Sequence, residues 1–307
     1  MEHVTFRNPD MSWDIAADLY FPPSFDDGQK YPTIVSAHPI GSCKEQTAGN
    51  IYASRLAQEG YVVIAFDASF QGESGGSPRR LEDPTQRVED FRRVVDYLVT
   101  LPYVDADRIG VLGVCGGGGY TINASMTERR FKAAVSITGV NYGRMAREGA
   151  ISAGGPVAAL EAVAQQRTSE LRGADAALDA ALPPSAEAAQ QIGDIDIIEA
   201  YDYYCTPRGQ APNGPATFDI AHGAAALGWD AFHLAEVLLT QPLLIVVGDK
   251  PGAFGAYRDG LEIHRRAASQ KKELVVLKDV SHYDLYDQPK GAGAALERVI
   301  PFFAAEL

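Results

Sequence analysis

The sequence is poor in cysteine, with only Cys43, Cys115 and Cys205 among its 307 residues. An odd number of cysteines cannot all pair, and these spacings match no zinc-binding or C-x-x-C motif. We therefore expect neither a metal site nor a disulfide framework, and a chain of this length buries enough surface to fold without them. Each cysteine is first interpreted as a small buried hydrophobic residue, unless its neighbours indicate chemistry.

The sequence also lacks an excess of positive charge and any long apolar run. Its formal net charge is −13, which argues against a nucleic-acid partner because phosphate binding requires a basic surface. No apolar run reaches the roughly 18 residues of a membrane-spanning helix, so no membrane partner is expected. The first residues, Met1 to Arg7, contain no apolar signal core, which favours a cytoplasmic location. Nothing calls for a cofactor, and the sequence leaves a homodimer open.

Short β-branched runs alternate with longer helical patterns along both ends of the chain. This alternation is typical of an α/β fold with a mainly parallel sheet and helices on both faces. Two early runs, Val4–Phe6 and Ile15–Tyr20, precede any helical pattern and predict an antiparallel start to the sheet. The later predicted strands are residues 33–37, 61–66, 108–114, 131–138, 243–247 and 274–277.

The middle of the chain, from about Asn141 to Thr240, breaks this regular alternation. It contains alanine-rich helical stretches and no strong strand pattern. An unstructured loop of this length is improbable inside a compact domain, so a helical insertion is predicted. The expected organisation is an α/β core formed by residues 1–140 and 241–307, interrupted by a helical cap or lid at residues 141–240.

The most informative motif is Gly113-Val114-Cys115-Gly116-Gly117, which lies between a predicted strand and a predicted helix. It matches the G-x-S-x-G nucleophile elbow with cysteine in place of serine. A side chain at such a sharp turn lies on strained backbone and needs very small neighbours, which the glycines provide. The Gly116 N–H, at a helix N-terminus, would donate to a substrate oxyanion. A flexible glycine loop with a core cysteine is the alternative. A phosphate loop is excluded because no Gly-Lys-Ser/Thr follows.

A cysteine nucleophile needs a way to lose its proton. Lowering a thiol pKa by two units requires about 2.7 kcal/mol of preferential stabilisation of the anion. A helix N-terminus typically contributes about 0.3–1 kcal/mol, which is insufficient. We therefore expect a histidine partner that lowers the pKa of the Cys115 thiol.

The partners of the nucleophile are expected in the chain order nucleophile, acid, histidine. His282 follows the last predicted strand on a loop, as the motif requires. Asp249 is the first carboxylate after the strand at residues 243–247, and it would orient His282 and stabilise its imidazolium form. Asp259 and Glu262 compete for this role, but their helical pattern makes them less suitable.

A second oxyanion donor is expected from the loop His38-Pro39-Ile40-Gly41, which follows a central strand. Proline has no N–H, so the donor is Ile40 or Gly41, and Ile40 is preferred. His38 is expected to orient this loop through hydrogen bonds. Asp67, which ends the next strand, is interpreted as a turn-forming residue rather than as the catalytic acid.

Three segments, His38 to Gln46, Phe66 to Gly75 and Gly113 to Tyr120, look like the dienelactone-hydrolase-related branch of the α/β-hydrolase superfamily. The resemblance covers the core at both ends of the chain and excludes the insertion. It implies an eight-stranded sheet of the α/β-hydrolase fold. It also implies a Cys-Asp-His triad, carried onto Cys115, Asp249 and His282.

The expected activity is hydrolysis of a carboxylic ester, lactone or thioester of a small acyl compound through an acyl-cysteine intermediate. Tyr203 and Tyr204, in the insertion, are candidates to line a pocket for an acyl group, although aromatic clusters of this spacing also occur in cores. An acyltransferase or cyclase on the same fold is the nearest alternative. A catalytically silent hydrolase-fold protein that only binds a ligand is the other alternative, since fold does not guarantee function.

Overall fold

The computed structural model describes residues 1–148 and 154–307. Five residues of the expected insertion, Gly149 to Ala153, lie outside the described residues. No helix within these two ranges is long and apolar enough to cross a membrane. The strands of the described chain are β1 (Glu2–Phe6), β2 (Ile15–Tyr20), β3 (Tyr31–Ala37), β4 (Val62–Phe66), β5 (Val104–Val114), β6 (Phe131–Ile137), β7 (Leu178–Ala180), β8 (Thr217–Asp219), β9 (Leu243–Gly248) and β10 (Lys272–Leu277).

Eight of these strands form one sheet in the order β1-β2-β4-β3-β5-β6-β9-β10. β2 pairs antiparallel with both β1 and β4, and the pairs from β4 to β10 are all parallel. Every residue of β4 and β9 is buried, because parallel strands covered on both faces are apolar throughout. The mostly parallel eight-stranded sheet and its antiparallel start are thus confirmed.

Helices cover both faces of the sheet. A Cβ atom at Gly110 would clash with Phe303 of the C-terminal helix, whereas one at Gly113 would overlap Gly117 of the helix after β5. Residues three apart on a strand point to opposite faces, so these two helices lie on opposite sides. The helical segments are Glu45–Ala53 and Pro289–Gly293, both π-helical, and Ser54–Gln58, Pro84–Leu98, Gly116–Thr127, Tyr142–Glu148, Gly155–Leu171, Ala186–Ile192, Ile195–Cys205, Ala224–Gly228, Ala235–Leu238, Ala256–Arg266, Asp284–Asp287 and Ala294–Glu306.

The segment between β6 and β9 contains several helices, including the 17-residue helix Gly155–Leu171, together with a two-stranded antiparallel ribbon, β7–β8. The sequence predicted helices alone here. Each ribbon strand has only three residues, and β7 is exposed throughout, so neither could show an alternating pattern. The ribbon is tied to the core, since Ala216 N donates to Gly41 O at 3.0 Å and Asp219 N to Arg80 O at 3.0 Å.

Candidate active site

Cys115 lies at the sharp turn between β5 and the helix Gly116–Thr127, with φ +54° and ψ −124°. A positive φ is strained for a residue with a side chain and persists only where surrounding structure enforces it. Here the Cys115 N–H donates to Ile137 O at 3.0 Å, and its carbonyl accepts from Gly118 N and Val140 N, both at 2.9 Å. The backbone strain is therefore located at the residue predicted as nucleophile.

The glycines around Cys115 are required by close backbone approaches. A Cβ atom at Gly113 would overlap the carbonyl oxygen of Gly117, and one at Gly117 would clash with the carbonyl oxygens of Ala37 and His38. A Cβ atom at Gly116 would overlap the side chain of Ile40. The elbow thus forms only because its flanking residues lack side chains, as the motif predicted.

The two residues predicted as oxyanion donors, Ile40 and Gly116, are in contact with each other beside the thiol. The Gly116 N–H is directed at Cys115 and stabilises its thiolate form. The Ile40 N–H donates to no acceptor within residues 1–148 and 154–307. One backbone donor is therefore already directed at the reacting atom, and a second lies on the neighbouring loop without a protein acceptor.

His38 holds the loop that carries Ile40. Its Nδ1 donates to Pro39 O at 2.7 Å, and its Nε2 accepts from Ala68 N at 3.1 Å. Arg87 donates to the His38 carbonyl at 2.9 Å. Burial, reinforced by the charge of Arg87, holds the pKa of His38 well below its usual value. His38 is thus neutral, and it orients this loop through hydrogen bonds as predicted.

The Cys115 thiol borders a cavity of about 150 Å³ with mainly apolar and aromatic walls. The core contributes Ile40 and three aromatic residues that the sequence did not identify. These three residues follow β9 and β10, where the sequence showed only loops and short helices without a motif. They are Phe254, Tyr283 and Tyr286.

The segment between β6 and β9 supplies the rest of the cavity wall. Of its two tyrosines that were predicted to line a pocket, only one does so. Tyr204 lines the cavity, together with Ile197 of the same helix. Tyr203 is not part of the lining. Its ring packs 4.9 Å from the Tyr286 ring and lies beneath the Arg208 guanidinium at 5.7 Å, which is a packing role in the described structure.

Burial raises the pKa of the Cys115 thiol to about 11. The Tyr286 hydroxyl and the Gly116 N–H lower it in part, whereas the charge of Asp196 raises it further. The expectation of a lowered thiol pKa is therefore wrong. The physical reason is that enclosure in an apolar cavity disfavours the anion more than these donors stabilise it.

This pKa predicts how the thiol reacts with iodoacetamide. Because the thiolate is the reactive form, alkylation of Cys115 should accelerate about tenfold per pH unit from about pH 7 to about pH 10. Peptide mass spectrometry across this pH range measures the rate, with the exposed Cys205 as an internal control for reagent access. A rate that levels off below about pH 8 would mean that the thiol ionises at neutral pH, contrary to this account.

His282 is buried on the loop after β10, close to the aromatic wall of the cavity. Its ring lies 5.5 Å from the rings of both Phe254 and Tyr286. Its Nδ1 is 2.8 Å from the Thr138 hydroxyl, a partner that the sequence did not indicate. Burial lowers the pKa of His282 to about 3. The buried Nε2 has no hydrogen-bond partner among the described residues, so no hydrogen bond joins it to Cys115 there.

Asp249 directly follows β9, and its backbone N–H donates to Leu277 O at 3.0 Å. Within the described ranges its buried Oδ1 has no hydrogen-bond partner, and His282 Nδ1 is paired with Thr138 instead. The competing carboxylate Asp259 is engaged elsewhere, since Arg144 Nε donates to its Oδ1 at 2.7 Å. Asp249 Oδ1 is thus an unpaired acceptor, and the Asp249 backbone lies beside the end of β10, the strand that precedes His282.

The carboxylates of Glu45, Asp67 and Glu73 lie close enough together to hold a cation. The buried Lys44 ammonium bonds to all three of them, which supplies the positive charge at this position. Asp67 also accepts from Lys44 N at 2.7 Å and from Glu73 N at 2.9 Å. These backbone bonds confirm Asp67 as a turn-forming residue.

One protein family matches more than half of this chain. The family model described as X-Pro dipeptidyl-peptidase (S15 family) matches residues 13–207, more than half of the chain and including Cys115. The chain belongs to the S15 family. The match to this S15 model ends before Asp249 and His282. The likeness to dienelactone hydrolases, by contrast, stays a prediction from sequence motifs.

Similar proteins match this chain over nearly its whole length. "Uncharacterized protein YcjY" of Escherichia coli K12 is 41% identical over 304 residues, which cover 98% of this chain and 96% of that protein. The crystal structure of hypothetical protein PA2218 from Pseudomonas aeruginosa has a TM-score of 0.87 and 31% identity, covering 100% and 93% of the two chains. The α/β hydrolase GrgF from Penicillium sp. sh18 has a TM-score of 0.79 at 19% identity, covering 99% and 98%. This S15 protein thus has the α/β-hydrolase fold.

Proposed function

We propose that the protein cleaves carboxylic esters, lactones or thioesters of small acyl compounds through an acyl intermediate on Cys115. The observation that carries this proposal is the thiol on strained backbone at the cavity wall, beside the Gly116 N–H and in a cavity that Ile40 also lines. A nucleophile and oxyanion donors on one side of an apolar cavity suit acyl transfer chemistry. The membership of an α/β-hydrolase family supports the same reaction class.

The first step starts from a neutral thiol and a neutral imidazole, because burial raises the pKa of Cys115 and lowers that of His282. His282 Nε2 accepts the thiol proton as Sγ attacks the substrate carbonyl carbon. The C=O π electrons move to oxygen, and the N–H groups of Gly116 and Ile40 stabilise the oxyanion. Binding of the substrate would bring Cys115 Sγ and His282 Nε2 into contact, since catalytic hydrogen bonds often shorten only in the enzyme–substrate complex.

The second step releases the first product and then the acid. The imidazolium donates its proton to the leaving oxygen or sulfur as the tetrahedral intermediate collapses to an acyl–Sγ bond. Water then loses a proton to His282 and attacks the acyl carbon, and the C–S bond breaks with return of the proton to Cys115. One substrate molecule and one water are consumed, and the enzyme returns to its starting state.

The assignment of Asp249 as the acid of the triad is part of the proposal. A buried acceptor without a partner costs about 1–3 kcal/mol, and Asp249 Oδ1 is such an acceptor. In the free protein the Thr138 hydroxyl holds His282 Nδ1. We propose that Asp249 accepts the His282 N–H when the imidazolium forms, because a carboxylate stabilises that cation better than a hydroxyl does.

A second candidate function, acyl transfer or cyclisation, is favoured by the enclosure of the thiol. Cys115 is only 7% exposed, and residues such as Ile197 and Tyr204 from the predicted cap, residues 141–240, cover its cavity. A cavity that excludes water protects an acyl intermediate from hydrolysis until another nucleophile arrives. The same residues and the same first step serve both reactions.

Product analysis tests these functions. We expect p-nitrophenyl esters and acyl thioesters to give the free acid, and an added alcohol or thiol to compete only if acyl transfer occurs. A parallel assay with Ala-Pro-p-nitroanilide measures the dipeptidyl-peptidase activity for which the family is named. Turnover of the anilide without any ester or thioester turnover would contradict the proposed function, as would the absence of all three activities.

A further inference from the structure

A second cavity, of about 380 Å³, lies next to the cavity that contains Cys115. Three residues, Tyr142, Asp179 and Phe218, line both cavities. The two spaces therefore share a wall at these side chains. A compound bound at the thiol would meet this wall when it extends away from Cys115.

Two of the three shared residues belong to the β7–β8 ribbon, whereas Tyr142 begins the helix Tyr142–Glu148. Asp179 and Phe218 are direct cross-strand partners in that ribbon, so their side chains lie on the same face. Phe218 is also fixed relative to the oxyanion loop, because a Cβ atom at Gly41 would contact its ring. The position of the boundary between the two cavities is thus fixed relative to the oxyanion loop beside Cys115.

The second cavity is lined mainly by small apolar side chains. Ala158, Ala159 and Ala162 of the helix Gly155–Leu171 contribute one wall, and Ala226 and Leu227 another. Positions 158, 159 and 162 share a helix face because residues three and four apart are neighbours. Alanine at each of them leaves space that a larger residue would fill.

The charged groups of this cavity are mostly compensated by partners. Glu82 bonds to the Tyr120 hydroxyl at 2.7 Å and pairs with Arg87 Nε at 3.2 Å. Asp219 lies 2.7 Å from His222 Nδ1. The surface that remains for a ligand is therefore chiefly apolar, and burying an apolar chain against it is favourable.

We propose that this cavity is the second chamber of the substrate site and that it holds an extended apolar chain of the ester or thioester. The inference rests on the proposed function, because Cys115 defines where the chain begins. The chain leaves the first cavity past Phe218 and lies against the alanine face of the helix Gly155–Leu171. Substrates with long alkyl chains are thus favoured over acetyl or methyl compounds.

Filling the chamber tests this inference. Ala162→Phe and Ala159→Leu place side chains in it, and Ala164→Leu, on the same helix but outside the lining, is the matched control. One series of p-nitrophenyl esters varies the acyl chain from acetyl to decanoyl, and one series of acetates varies the alcohol from methyl to decyl. We expect both filling variants to lower kcat/KM for the longest chains of one series by about tenfold or more. The acetyl or methyl member and Ala164→Leu stay within about twofold of wild type.

The series that responds shows whether the chamber holds the acyl or the alcohol chain. Unchanged long-chain kcat/KM in both series, with short esters still turned over, would overturn the chamber and leave the proposed function intact. Calorimetric binding of decanoate or decanol to Cys115→Ala is a readout independent of turnover. Binding that Ala162→Phe abolishes supports the chamber even if no ester is cleaved, and absence of binding of both probes contradicts it.

Discussion

Replacing Cys115 with alanine is expected to lower kcat for ester cleavage by about 10⁴-fold or more, since loss of a covalent nucleophile removes the whole reaction path. The fold should persist. The residue is a small one at the cavity wall, and removing its sulfur should cost on the order of 1 kcal/mol in free energy of unfolding. Steady-state kinetics with a chromogenic ester and a thermal unfolding curve measure both quantities.

Two further variants control this experiment. Cys115→Ser places a hydroxyl on the same strained backbone and should keep a measurable fraction of ester cleavage, because the elbow motif serves serine as well. Cys205→Ser changes an exposed cysteine outside the cavity and should match wild type. If Cys115→Ala retains more than about a tenth of wild-type kcat, the sulfur is not the nucleophile.

The second large effect is expected at His282. His282→Gln should lower kcat by about 10³-fold, because a positioned acid–base group typically contributes 10²–10⁴-fold. The variant removes the acceptor for the thiol proton and the donor for the leaving group. His264→Gln, on the helix Ala256–Arg266, is the matched control and should leave kcat unchanged.

The orienting partner of His282 can be assigned with two more variants. Asp249→Asn should lower kcat by about 10²-fold or more, with little change in KM, because it removes the charge that stabilises the imidazolium. Thr138→Val, which removes the hydroxyl at Nδ1, should have a smaller effect. The reverse order would give the orienting role to Thr138 and would remove Asp249 from the proposed triad.

The sequence was sufficient for the sheet and the elbow because their signals are local. Runs such as those of β4 and β9 are apolar throughout, and the five-residue motif at Cys115 specifies its own turn. The requirement for Gly113 and Gly117 follows from the same backbone geometry. By contrast, β7 and β8 have three residues each, and strands this short have no period to recognise.

The electrostatics of the site could not be predicted because they depend on distant segments. The cavity that raises the pKa of the Cys115 thiol is built from residues such as Tyr204, Phe254 and Tyr286, far along the chain. Thr138, which holds His282 Nδ1, belongs to no motif and directly follows β6. The local sequence identified Cys115 and His282 as candidates. The pKa values and hydrogen-bond partners of these residues depend on how distant segments pack around them.

The most direct measurement is the mass of the protein during turnover. Wild-type protein mixed with a p-nitrophenyl ester and quenched in acid within milliseconds should carry one acyl group. Digestion should place that group on the peptide that contains Cys115. An acyl group on another residue, or product release with no acylated species at any quench time, would contradict the account.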